Sequence, residues 1–106
     1  MSDYFKQLNA ALLQANFALP TLIIDQTRLD ANLAQAKKML TPKVTPRLVV
    51  KSLGSIELLK YIVNDLNCTR FMVFHLPHVP LVLNAFPNAD ILLGKPMPVR
   101  AVQSFY

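Results

Sequence analysis

The stretch "TPRLVVKSLGS", residues 45–55, decides the fold. A run of strand formers, Arg47 to Val50, ends on a lone lysine, Lys51, and the chain then turns through Gly54. Ser55 opens a helix behind it, with Ile56, Leu59, Ile62 or Val63, and Leu66 on one apolar face. A strand, a turn and a capped amphipathic helix in that order make the first half of a βαβ unit.

The pattern repeats downstream. "RFMVF" (70–74) reads as a strand, a short helix follows around 78–86 with Pro80 near its start, and "DILLG" (90–94) is another strand. "VRAVQSFY" (99–106) has the composition of a further helix. Upstream, residues 2–16 form an amphipathic helix with Phe5, Leu8 and Leu12 on one stripe and Ser2 as its cap. "TLIID" (21–25) follows Pro20 as a β-branched run and predicts a strand. Thr27, with Asp30 three residues later, predicts the cap of a helix carrying Leu29, Leu33, Ala36 and Leu40. Pro42 and Pro46 close that helix. Strands alternating with helices predict an α/β fold with right-handed crossovers and a parallel sheet. Their nearly continuous apolar character predicts cover on both faces. Three or four such strands leave open edges, whereas a complete barrel takes ~250 residues. The expectation is therefore the N-terminal portion of a (β/α)8 TIM-type barrel, incomplete within 106 residues, preceded by a helical segment at 1–18.

Composition narrows the function classes. The chain is 53% hydrophobic and 16% charged, which excludes a disordered or fibrous protein. No apolar run reaches the ~18 residues of a membrane span, and the N-terminus lacks the pattern of a signal peptide. Cys68 is the only cysteine, so no internal disulfide forms; this predicts a packing role for the thiol and a reducing, cytoplasmic setting. The net charge of +5 is scattered, with Lys37, Lys38 and Lys43 clustered only at a helix end, where cations complement the helix dipole. Without aromatic platforms beside the basic residues, nucleic acid is not an expected partner, nor is a membrane. Two histidines three apart, His75 and His78, do not make a metal site by themselves.

Alternation along the strand puts Arg47, Val49 and Lys51 on one face and Leu48 and Val50 on the other. In a barrel the Leu48 face meets the helices and the Lys51 face points inward, with Lys51 at the C-terminal end, where barrel enzymes place their chemistry. An amine there can condense with a carbonyl compound. A free lysine, with a pKa near ~10.4, presents little free base at pH 7, so activation calls for desolvation. Arg47 lies ~13 Å away along the strand and contributes only ~1 kcal/mol at an effective dielectric of ~20. The bland alternative is a lysine that snorkels from a strand end to water. Lys95, in "DILLGKPMP", also follows an apolar strand and a glycine, and spacing does not choose between the two lysines. His75 follows a strand as well, at a position where a side chain can stack on or bond to a ligand, whereas His78, near a helix start, is expected at the surface.

"LPTLIIDQTRLDANLAQAKKML" followed by "RLVVKSLGSIELLKYI" resembles the N-terminal part of the fold-type III pyridoxal-phosphate enzymes, the alanine racemase N-terminal domain superfamily. The nearest likeness is to the D-threonine aldolase and D-serine dehydratase-like group. The matching residues are Pro20 to Asp25, then Leu29 and Asn32, then Arg47, Lys51 and Ser52, with "ADILLGKPMP" resembling a later strand. Leu48 and Val49 stand where that group often has Pro and His, and Leu53 and Gly54 where it often has His and Lys. The likeness spans roughly residues 19–100 and implies a partial alanine-racemase-like barrel over 19–106. It implies a covalent Schiff base between Lys51 and pyridoxal 5'-phosphate, with Arg47 and His75 as further cofactor-binding positions and no metal ligand on this chain. The implied activity is a lyase or dehydratase acting on D-amino acids, from a homodimer when complete. A non-catalytic pyridoxal-phosphate homeostasis protein and an alanine-racemase-type isomerase are the alternatives. The "TLIID" strand favours the enzyme, because the two-domain enzymes use it to build a second, β-rich domain.

Overall fold

A computed structural model describes residues 2–52 and 54–104. Its strands are β1 (Leu48–Val50), β2 (Arg70–Val73) and β3 (Asp90–Leu93), all parallel and in the order β1–β2–β3. The helices are α1 (Asp3–Gln14), α2 (Gln26–Met39), α3 (Ile56–Leu66), α4 (His78–Ala85) and α5 (Val99–Gln103). From β1 onward the chain is the expected α/β alternation of parallel strands and helices. Residues 105–106, the end of the expected last helix, lie outside the described residues.

Local chemistry sets the boundaries. The Ser55 hydroxyl accepts from the Leu58 N–H at 3.3 Å and caps α3. Asn67, at φ 47°, ends it in the left-handed region, which asparagine tolerates better than most residues. Pro80 sits in the first turn of α4, where its missing N–H costs no helical hydrogen bond.

Register explains the packing. Leu48 pairs with Phe71, Phe71 with Ile91, and Val50 with Val73, so these side chains share one face of the sheet. Helices α3 and α4 cover that face. Val50 is 2% exposed and Phe71 0%, and both pack with Val73 against Leu59 and Val63 of α3 and Val79 and Val82 of α4. The Phe71 and Phe86 rings lie 4.9 Å apart. Cys68 is buried as expected, with its thiol 3.1 Å from the Pro46 carbonyl. Helix α2 joins the outside of α3 through polar contacts: Tyr61 donates to Asp30 at 2.6 Å, and Lys37 pairs with Asp65 at 2.8 Å.

The other face of the sheet departs from expectation. Both faces were expected to be covered, yet Val49 is 55% exposed and Leu92 46%, because α3 and α4 lie on the same side. The molecule is flat and extended, 51 × 38 × 22 Å, and α1, which has no buried residue, adds to its length. Its radius of gyration is 17.4 Å, against ~13 Å for a compact chain of this length. Its surface of 8247 Å² likewise exceeds the ~5,900 Å² of a compact monomer of this mass.

The expected strand at 21–25 does not form. Residues 20–25 are irregular, and Leu22 is 75% exposed. A β-branched run favours a strand, but a strand needs a neighbour for its hydrogen bonds, and none among the described residues pairs with this segment. Nor is Thr27 the cap of the next helix. Asp25 caps α2, its carboxylate accepting from the Arg28 N–H at 3.0 Å and from the Tyr4 hydroxyl at 3.0 Å. The Arg28 guanidinium lies 3.6 Å from the centre of the Tyr4 ring, so this cluster also ties α1 to α2.

Two stability outcomes follow. Phe71→Ala removes a fully buried ring from a small core and lowers stability by about 3–5 kcal/mol, read as an earlier urea midpoint. Asp25→Ala lowers the thermal midpoint, whereas Thr27→Ala, an exposed substitution outside the cap, stays within about 0.5 kcal/mol of the parent.

Candidate functional site

The strands' C-terminal ends gather the residues of chemical interest. Continuing the register by one residue past Val50, Val73 and Leu93 places Lys51, Phe74 and Gly94 in one row. By alternation this row belongs to the uncovered face. The Gly94 N–H donates to the Val73 carbonyl at 2.8 Å and holds that register. Lys51 is exposed, and its Nζ lies 5.1 Å from the centre of the Phe74 ring. The desolvation expected of this amine is therefore not what the described chain provides. Lys95, the competing lysine, follows Gly94 on the same edge and is also exposed.

His75 is exposed beyond β2, whereas His78, expected at the surface, is half-buried at the start of α4. The His78 ring stands beneath the turn after β1: its Cε1 lies 4.0 Å from where a Gly54 Cβ would project. Its Nδ1 is buried without a hydrogen-bond partner among the described residues. The rings of His75 and His78 meet edge to face, 5.3 Å apart. Among the described residues no three His, Cys, Asp or Glu side chains converge as metal ligands would.

Arg47 lies at the opposite end of the same face. Its Nη1 donates to the Phe71 carbonyl at 3.0 Å, the Asp90 carbonyl at 3.0 Å and Asp90 Oδ1 at 2.8 Å. Its Nη2 donates to Asp90 Oδ2 at 3.0 Å, and Arg70 Nε stands 3.6 Å from the same oxygen. The guanidinium thus spans β2 to hold β3, with both ends of its fork committed to Asp90. The structure does not bring Arg47 to Lys51; ~13 Å of strand separates the two residues. Asp90, Phe74 and Gly94 were not picked out from sequence, and His78 only as a surface residue. Only Gly94 carried a signal there, as a glycine where a strand ends and a neighbouring group approaches closely.

The arrangement provides an accessible primary amine on one side of an aromatic ring, with a histidine pair on the next strand-to-helix turn. That set can form a carbon–nitrogen double bond with an aldehyde. At the far end, the paired Arg47 fork holds the Asp90 carboxyl below the usual carboxylate range, against the opposing effect of desolvation. Stability from this pair is present above the unfolded value of ~3.9 and is lost as pH falls through the lower folded value. Asp90→Asn is expected to lower the thermal midpoint at pH 7 and to flatten its decline between pH 4 and 2. The dependence that remains belongs in part to Asp25, whose carboxyl is also held low, chiefly by the Arg28 N–H. Searches against protein-family models, curated proteins and solved structures found no match to this chain.

Proposed function

We propose that Lys51 is the covalent attachment point for pyridoxal 5'-phosphate, and that the chain forms the first βα units of an alanine-racemase-like barrel. The activity we assign to that barrel is a lyase or dehydratase acting on D-amino acids. The observation that carries the reading is the placement of the Lys51 amine at the C-terminal edge of a parallel sheet, on the face opposite its helices. Consecutive strand order with α3 and α4 on one side supports an arc of such a barrel. The sequence resemblance supplies the identity of the cofactor.

The donor set fits the aldehyde end of the cofactor. Lys51 is accessible, and the Phe74 face beside it matches a flat aromatic partner. His75, exposed beyond β2, is a polar group available to orient it, with the His78 ring packed against its edge at 5.3 Å. When bound, the cofactor supplies an electron sink for negative charge at the amino acid's α carbon. The chain's own task is to offer a nucleophile and hold it still. Lys51 Nζ must give up its proton to carry a lone pair, and the Ser55 cap fixes the start of α3 behind it. Arg47, bound to Asp90, acts as a brace for the strands in this reading rather than as a direct cofactor ligand.

A non-catalytic pyridoxal-phosphate-binding protein is the second reading, favoured by one observation: residues 21–25 pair with no strand, although the two-domain enzymes use such a strand. The exposed Leu22, Ile23 and Ile24 weigh toward the enzyme, since an apolar extended segment is suited to a partner strand. Incubation of the chain with pyridoxal 5'-phosphate, borohydride reduction and peptide mass mapping tests the attachment. The expected adduct lies on the peptide holding Lys51 and is lost in Lys51→Ala, with binding weaker than micromolar. An adduct confined to Lys95 would overturn the assignment.

A further inference from the structure

We infer that Phe74 positions the Lys51 amine and makes it selective for aromatic over aliphatic aldehydes, and that Gly94 is the residue that gives the ring its place. This rests on the reading of Lys51 as the cofactor lysine. A cation within about 6 Å of a ring centre is held by the negative face of the ring, and the Lys51 Nζ stands at 5.1 Å. Lys51 forms no ion pair among the described residues, so the ring is the contact that fixes where the amine rests. The ring is fixed in turn. A Cβ on Gly94 would lie 2.6 Å from both Cε1 and Cζ of Phe74 and 2.9 Å from Cδ1. No glycine here has a positive φ, so Gly94 is required for space and not for backbone conformation. Any side chain at position 94 would push the ring from the row it shares with Lys51.

The covalent step shows why the ring discriminates. The unprotonated amine adds to the aldehyde carbon, a carbon–nitrogen double bond forms, and the carbonyl oxygen leaves as water with both hydrogens of the nitrogen. The cation–ring attraction disappears with the charge. An aromatic aldehyde replaces it by laying its own ring against Phe74, whereas an aliphatic aldehyde has nothing to put there.

The test measures borohydride-trapped labelling of Lys51 relative to Lys95 in the same chain, with pyridoxal 5'-phosphate and with glycolaldehyde phosphate. The second probe carries the phosphate without the ring. Phe74→Leu is expected to lower the pyridoxal ratio about threefold to tenfold and to leave the aliphatic ratio unchanged. Phe74→Tyr is expected to retain the parent ratio. Gly94→Ala is expected to lower it in the parent and to add nothing in the Phe74→Leu background, the signature of two residues acting through one contact. Circular dichroism confirms that each variant is folded. Independently of any aldehyde, the Lys51 ε-methylene protons are expected upfield of their position in Phe74→Leu, from the ring current. Equal pyridoxal ratios in parent and Phe74→Leu, with Lys51 still labelled, would overturn the inference and leave the attachment site standing. No label on Lys51 in the parent would instead overturn the cofactor reading itself.

Discussion

Parallel strands cannot be joined by a tight turn; each needs a crossover, and the two helices that link these strands return on one side of the sheet. The rest of the structure depends on that constraint. It collects Val50, Phe71 and Val73 under α3 and α4 in the buried core and leaves the opposite side chains without helical cover. Three rows cross that open face: Arg47, Arg70 and Asp90 at one end, Val49, Met72 and Leu92 in the middle, and Lys51, Phe74 and Gly94 at the other. The large surface of the chain has two sources: this open side of the sheet, and α1 with the segment that follows it, where no residue is buried.

Much of this was legible because it depends on local pattern. Helical periodicity marked α2 and α3, Ser55 announced its cap, and alternation in "RLVVK" put Leu48 and Val50 on the helix side. The failures share a cause: each turned on a partner that sequence does not display. "TLIID" has the composition of a strand, but pairing is a property of two segments, and its apolar side chains stay exposed. Reading it as a strand then hid Asp25, which terminates no strand and starts a helix. His78 passed for a surface residue because Gly54, which packs over it, lies 24 residues away in the chain. Phe74 resembled one more apolar strand residue until Gly94 gave it a floor.

The two charged ends of the open face obey different electrostatics. Arg47 is surrounded by acceptors, with two carbonyls and both carboxylate oxygens of Asp90 in reach, so its charge is fully employed in holding three strands together. Partial burial of the guanidinium is tolerable because Nη1 and Nη2 both find acceptors, chief among them the Asp90 carboxylate. Lys51 has no such company. Its amine keeps its water and gains only an aromatic face, which attracts charge without committing the nitrogen's lone pair once a proton leaves.

That difference bears on how a lysine can be both stable in the fold and available for chemistry. A buried amine reaches reactivity through desolvation, at the cost of stability whenever it carries a proton. A carboxylate partner would remove that cost and also bind the proton more firmly, which opposes nucleophilic attack. The Phe74 face takes a middle course: it orients the amine through a weak attraction of about 0.5–1 kcal/mol at an exposed site, small enough to surrender when a covalent bond forms. Exposure of Lys51 in this sheet is then compatible with a cofactor lysine. Orientation is set by the ring within the chain, while the open face that carries Val49, Met72 and Leu92 leaves the amine its water.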